Sequence, residues 1–155
     1  MRYCFGVDAG GTKTACAISD VTGNLVSVGV AGPANYKLVG AEVAQNNILQ
    51  AIQQAKTQGN VSDDAFDHGF YAIAGLDGKK DQEIIDGFVS EINPAIQYSL
   101  ENDAIASLAL GSSSGYGIVL ICGTGSNCVA VNETNDRLQV GGLGREFGDF
   151  CGGRE

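Results

Sequence analysis

The sequence is poor in basic residues and in proline. Among 155 residues there are 9 Lys and Arg against 18 Asp and Glu, so the formal net charge is −9 at pH 7. Nucleic acids and anionic membranes bind basic surfaces, and neither is therefore an expected partner. Only 2 prolines accompany 23 glycines, which indicates tight turns and close backbone approaches rather than a disordered chain.

Long apolar runs and metal-binding motifs are also missing. No stretch approaches the roughly 18 apolar residues that span a bilayer, and Asp8 interrupts the apolar start of the chain, unlike a signal peptide. The five cysteines contain no C-x-x-C spacing, and the single histidine, His68, is distant from them in sequence. This pattern argues against zinc and favours reduced, mostly buried thiols in a cytoplasmic protein.

Hydrophobic periodicity predicts an α/β chain. Strands are predicted over residues 3–8, 14–20, 24–30, 70–74, 96–100, 117–122 and 128–132. Helices are predicted over residues 41–57, 80–92 and 103–110, with an exposed loop at 32–36 and a linker at 111–115. The apolar face of the first helix consists of Val43, Ala44, Ile48, Ala51, Ile52 and Ala55. That of the second consists of Ile84, Ile85, Phe88, Val89 and Ile92.

A glycine turn joins the first two predicted strands, with the sequence Asp8-Ala9-Gly10-Gly11-Thr12-Lys13-Thr14. Adjacent glycines permit positive φ and close approach of the backbone to a ligand, and successive N–H groups in such a turn bind anions. Asp8 would meet a phosphate through the hydration shell of a magnesium ion, because two bare anions repel. The alternative is an ordinary hairpin turn with a solvated Lys13.

The opening pattern recurs after the linker. Gly123-Thr124-Gly125-Ser126-Asn127 again joins two predicted strands. Two such turns facing each other could hold one polyphosphate from both sides. Between them, Asp103 follows a predicted strand, where a carboxylate can cap a helix or act on a ligand.

The motifs DAGGTKT, GPANY, ENDA, GTGSN and GGLGREFGD occur in that order along nearly the whole chain. Together they resemble the N-acetylglucosamine kinase group of the BadF/BadG-type ATPases, within the actin, sugar kinase and Hsp70 superfamily. The resemblance implies a ribonuclease H-like (actin-like ATPase) α/β lobe with a mixed five-stranded sheet flanked by helices. Residues 1–113 would form this N-terminal lobe, and residues 116–155 the incomplete start of a similar C-terminal lobe.

The activity implied by the resemblance is ATP-dependent phosphorylation of an amino sugar, N-acetylglucosamine or a close relative, with Mg²⁺. Asp103 matches the catalytic carboxylate and also contacts the sugar. The ATP contacts are Asp8, Gly10, Gly11, Thr12, Lys13 and Thr124, with Asp8 holding the magnesium through water. The sugar contacts are Asn35, Ser126, Asn127, Gly142, Leu143, Gly144 and Asp149. Leu143 departs from the animal enzymes, which have tryptophan there, and the Phe-Cys-Gly-Gly run after Asp149 departs from the acidic and small residues common in the family.

Simpler roles exist for several of these residues. Asp103 suits a helix N-cap, Asn35 an Asx turn after proline, and Asp149 a plain loop carboxylate. Asp77 lies in a predicted turn at residues 75–78, and a turn-forming role is favoured for it.

Two other functions stay open. One is an ATPase that activates a partner enzyme, as in the dehydratase-activator branch of the group, which carries an iron–sulfur cluster on cysteines. The other is a sugar-sensing regulator without enzymatic activity, against which the intact Asp8, Thr12, Asp103 and Thr124 argue. Asn35 and the Asn102-Asp103 pair favour the kinase, because an activator has no hydroxyl to deprotonate.

The 155 residues alone are expected to be inactive, since the family's adenine pocket lies in sequence beyond them. Residues 117–122 are apolar on both sides of the pleat, as in a central strand covered by helices on both faces. Without those helices, the chain should associate through residues 116–132 or leave them mobile, and a homodimer remains open.

Overall fold

The computed structural model describes residues 1–123 and 126–142 of the chain. They divide into two compact units, residues 1–102 and the residues from Asp103 onward. The boundaries predicted at residues 113 and 116 concern the lobes of a longer family member and stay predictions. In the structure the division falls after Asn102, because the helix that begins at Asp103 packs against the strands that follow it.

The first unit contains five strands and three α-helices. The strands are β1 (Tyr3–Ala9), β2 (Thr14–Asp20), β3 (Leu25–Ala31), β4 (Phe66–Ile73) and β5 (Tyr98–Glu101). The helices are α1 (Tyr36–Val39), α2 (Ala41–Gly59) and α3 (Lys79–Ile92), with a short 3-10 helix at Asp63–Ala65.

These strands form one mixed sheet in the order β3-β2-β1-β4-β5. The pairs β1–β2 and β2–β3 are antiparallel, whereas β1–β4 and β4–β5 are parallel. The predicted α/β class with a mixed five-stranded sheet is therefore confirmed. Since β3 runs parallel to β1, the carboxyl ends of β1, β3, β4 and β5 lie at the same edge of the sheet.

Alternation along the strands puts the core on one side of this sheet. Phe5, Val7 and Ala9 of β1 are buried in one cluster with the apolar faces of α2 and α3. Full burial of a phenylalanine or valine side chain stabilises the fold by roughly 1.5–3 kcal/mol. The predicted helix faces are confirmed except at their margins, where Val43 is 46% exposed and Ile84 is 37% exposed.

The second unit contains α4 (Asp103–Gly111) and the antiparallel sheet β6 (Gly117–Cys122), β7 (Ser126–Val131) and β8 (Arg137–Gly141). Ala104 and Leu108 of α4 pack against Val129 and Val131 of β7. The other face of the sheet is apolar and exposed. Its large side chains are Ile118, Leu120, Leu138 and Val140, each at least 63% exposed.

Several element boundaries differ from the predicted ones. α1 lies at the end of the stretch predicted as a loop, β4 starts at Phe66 instead of residue 70, and β7 starts at Ser126 instead of residue 128. β8 was not predicted. Within the described part of the chain, no helix is long and apolar enough to cross a membrane.

Candidate functional site

The loops that follow β1, β3, β4 and β5 share one edge of the first unit. The first of these loops is the glycine turn, closed by Gly10 N–H donating to the carbonyl oxygen of Lys13 at 3.0 Å. Asp8, Thr12 and Lys13 have exposed side chains here. The turn thus presents a carboxylate, a hydroxyl and an ammonium group near one another in sequence and on one edge.

The turn does not use the positive φ that its glycines permit, since neither Gly10 nor Gly11 has one. A Cβ at Gly11 would meet Leu38 Cδ1 at 3.4 Å, which is ordinary contact. The fold therefore does not demand glycine at position 11. Close approach of a ligand remains a reason for a missing side chain there.

The loop that carries Asn35 is hydrogen-bonded to the glycine turn. The backbone N–H groups of Ala34 and Asn35 donate to the Gly10 carbonyl at 3.0 and 3.2 Å. Thr14, which is fully buried, donates its hydroxyl to the carbonyl of Gly32 at 2.8 Å. The candidate phosphate turn and the candidate sugar loop are thus joined by three hydrogen bonds, and the role of Thr14 was not predicted.

Asn35 is half-buried and caps α1, because its side-chain oxygen accepts from Lys37 N–H at 3.1 Å. Its Oδ1 also lies against Gly75, in the loop after β4. Gly75 has φ +91°, and a Cβ there would stand 2.8 Å from Asn35 Oδ1. The simpler capping role of Asn35 is therefore present, and it fixes the side chain at this edge.

An ion-pair cluster lies beside Asn35. Lys37 Nζ is 2.9 Å from Asp77 Oδ2 and 3.1 Å from Asp81 Oδ1, and the Tyr36 hydroxyl donates to Asp81 at 2.5 Å. Burial disfavours the charge of Lys37, but its hydrogen bonds to the two carboxylates outweigh this and raise its pKa. Burial likewise opposes ionisation of Asp81, yet the hydrogen bonds from Tyr36 and Lys37 hold its pKa below the ordinary value.

Asn102 ends the first unit at the same edge. It is 6% exposed, and its amide donates to the Leu76 carbonyl at 3.1 Å and to Asp77 Oδ1 at 3.3 Å. Asp77 follows a turn that Leu76 N–H closes with the Ile73 carbonyl, so it lies one position beyond that turn rather than in the turn-forming role favoured for it. Its carboxylate accepts hydrogen bonds from Lys37 and Asn102. Asn102 immediately precedes Asp103 in the chain.

Asp103 is the first residue of α4. Its carboxylate accepts from the N–H of Ala104 at 2.9 Å, and a carboxylate in the first turn of a helix interacts favourably with the helix dipole. The predicted capping role of Asp103 is compatible with this geometry. A catalytic role remains a prediction.

The second unit brings together three predicted sugar contacts. Gly142 N–H donates to the Ser126 carbonyl at 2.9 Å. Gly142 has φ +80°, and a Cβ there would lie 3.1 Å from the side chain of Asn127. Asn127 Oδ1 is a buried acceptor with no hydrogen-bond partner among the described residues. Leaving such an atom unsatisfied costs roughly 1–3 kcal/mol.

The other predicted site residues, Thr124, Leu143, Gly144 and Asp149, lie outside the described residues, as does Cys151. Of the four described cysteines, only Cys16 is buried, while Cys4 and Cys128 are half-buried and Cys122 is exposed. The expectation of mostly buried thiols is therefore wrong. Burial raises the pKa of Cys16 to about 12, which suits a core residue rather than a metal ligand.

The mixed sheet and its helices form an α/β fold, and its structural neighbours include sugar kinases of the actin-like ATPase class. Residues 5–153 match the model of the BadF/BadG/BcrA/BcrD ATPase family, and the chain belongs to that family. This confirms the resemblance carried by the five motifs.

Two curated relatives and one solved structure are similar to nearly the whole chain. It is 35% identical to the glucosamine kinase GspK of Vibrio cholerae over 95% of the chain and 48% of that protein. It is 31% identical to the N-acetyl-D-glucosamine kinase of Dictyostelium discoideum over 96% of the chain and 49% of that protein. A solved structure of a candidate N-acetylglucosamine kinase from Chromobacterium violaceum superposes with a TM-score of 0.80, at 25% identity, over 96% of the chain and 52% of that structure. The chain spans about half the length of the curated relatives it matches.

Proposed function

We propose that the protein to which this chain belongs transfers a phosphoryl group from ATP to a hydroxyl of an amino sugar, either N-acetylglucosamine or a close relative. The observation that carries the proposal lies at the edge of the first unit. There the glycine turn and the Asn35 loop are hydrogen-bonded to each other through the Gly10 carbonyl. Phosphoryl transfer depends chiefly on holding donor and acceptor in position, and this linkage supports such a role.

The donor side would be held by the glycine turn. Backbone N–H groups of a turn, with the Thr12 hydroxyl and the Lys13 ammonium, are suited to phosphate oxygens. Among the described residues, no group of three or more His, Cys, Asp or Glu side chains could hold a metal ion. Magnesium commonly binds through one carboxylate, water and substrate phosphates, and Asp8 fits that requirement. When bound, the ion neutralises charge on the phosphates.

In the first unit, Asn35 is the proposed sugar contact. Ser126, Asn127 and Gly142 of the second unit are also proposed sugar contacts. The unsatisfied Oδ1 of Asn127 supports this assignment, because a sugar hydroxyl or amide N–H could donate to it. Asp103 would take the proton of the attacked hydroxyl, or orient that hydroxyl, as phosphate is transferred. Thr124, Gly144, Leu143 and Asp149 remain proposed contacts.

The test is a screen of amino sugars with the full-length gene product, ATP and Mg²⁺, in which ADP and the sugar phosphate are both measured. We expect ADP release that depends on N-acetylglucosamine or glucosamine, and the Asp103→Asn variant serves as a matched inactive control. ADP release without any sugar, together with brown colour and visible absorbance, would instead identify an iron–sulfur activator. Sugar binding without ADP release would identify a regulator.

A further inference from the structure

The Lys37–Asp77–Asp81 cluster, defined by these three side chains, lies next to the candidate sugar contact Asn35 but is not itself a predicted contact. The two carboxylate side chains are 17% exposed and the lysine side chain is 40% exposed. An ion pair in such a partly buried network is worth more than an isolated surface pair, which typically contributes 0–1 kcal/mol, as an order of magnitude. The cluster can therefore contribute to holding the Asn35 region in place.

The cluster joins three segments by side-chain contacts: α1, the loop after β4 and the first turn of α3. α1 spans only Tyr36–Val39, too short to be stable by itself. Lys37 and Tyr36 bind it to Asp81, in the first turn of α3. Asp77 in turn accepts from Asn102 at the end of β5.

The glycine turn depends less on this cluster. It is closed by its own hydrogen bond from Gly10 to Lys13, and β1 and β2 continue on both sides of it. Loss of the ion pairs would therefore loosen α1 and the Asn35 side chain that caps it, whereas the backbone hydrogen bonds from Ala34 and Asn35 to the Gly10 carbonyl would keep the turn in shape. The two halves of the edge should respond differently to the same mutation.

We propose that Lys37 and Asp77 are positioning residues for sugar binding, which hold Asn35 in place through α1 and do not touch the phosphates. The proposal rests on the kinase function proposed above. A misplacement of about 1 Å in a substrate contact can cost on the order of 100-fold in rate. Partial loosening of the loop should accordingly raise the KM for the sugar about 10-fold.

The experiment compares three variants of the full-length gene product. Lys37→Met removes the ion pairs and keeps the length of the side chain, and Lys37→Arg keeps the charge and supplies donors for both carboxylates. Lys56→Met is the matched control, because the Lys56–Asp63 pair precedes β4 and so lies at the opposite edge of the same sheet.

The expected result is a KM for the sugar about 10-fold higher in Lys37→Met, with the KM for ATP changed less than about twofold. Lys37→Arg should stay near the wild type, and Lys56→Met should change neither constant. Melting temperatures measured beside the kinetics show whether Lys37→Met and Lys56→Met lose comparable stability.

Two results overturn the inference while leaving the proposed function intact. The first is an unchanged KM for the sugar in an active Lys37→Met enzyme. The second is a parallel rise of both KM values, which would indicate general loosening. A wild-type protein that transfers phosphate to no amino sugar would instead overturn the proposed function, and this inference with it.

Discussion

Replacing Gly75 by alanine should weaken sugar binding through a contact that the structure measures. Gly75 has φ +91°, and an L-residue in that conformation costs roughly 1–2 kcal/mol. The added Cβ would stand 2.8 Å from Asn35 Oδ1, where ordinary contact begins at 3.4 Å. The Asn35 side chain must therefore shift by about half an ångström. Because binding is sensitive to the position of substrate contacts, this shift of Asn35 should raise the KM for the sugar about 10-fold.

A matched variant separates this contact from backbone strain. Gly23 has φ +90° in the turn between β2 and β3, and a Cβ there would meet nothing within 4 Å. Gly23→Ala should lower the melting temperature as much as Gly75→Ala, by about 5–10 °C for a unit of this size. Steady-state kinetics and calorimetry on both variants provide the comparison. The reasoning is refuted if both variants change the KM for the sugar equally, or if neither does.

Four further outcomes are expected. Asp103→Asn should cut turnover by about 10²–10⁴ with little change in sugar binding, and turnover within a few-fold of wild type would leave only the helix-capping role. Gly11→Val should lower ATP affinity without loss of fold, so unchanged affinity in a nucleotide titration would exclude the phosphate turn. At pH 8, iodoacetamide should label the exposed Cys122 readily and the buried Cys16 at least about 10-fold more slowly, since burial blocks access and raises the pKa of Cys16. Equal labelling of both, measured by peptide mapping, would contradict the burial of Cys16. The 155-residue chain should associate through its exposed apolar sheet face, so Leu120→Lys should reduce the mass seen by light scattering, and an equal mass in both proteins would place the contact elsewhere.

Long periodic segments were predictable because their pattern is local. Five apolar residues recur at helical spacing on the buried face of α2. Buried and exposed residues alternate along β1 and β2 on either side of a glycine turn. The type and approximate extent of these elements therefore follow from the residues alone. The order of the five motifs indicated the family and, through it, the predicted site residues. No comparable pattern marks α1, because its ion pairs reach residues about forty positions away in sequence.

The sequence did not reveal strand β8, nor which glycines adopt positive φ, and the two omissions have different causes. Leu138 and Val140 of β8 point to the exposed face, so their alternation does not signal a core. Positive φ is permitted at Gly10 and Gly11 but occurs at other glycines, among them Gly75 and Gly142. Glycine permits that conformation without requiring it, and the surrounding hydrogen bonds decide where it is used.

The Gly10 carbonyl, which accepts from both Ala34 and Asn35, has a thermodynamic consequence. In a kinase of the proposed kind, ordering the turn around phosphates and ordering the Asn35 loop around a sugar act on the same pair of hydrogen bonds. Linkage then requires reciprocity: the factor by which the sugar tightens nucleotide binding equals the factor by which the nucleotide tightens sugar binding. This carbonyl is a place where the two affinities could be uncoupled by altering the backbone between them, without removing any group that contacts either ligand.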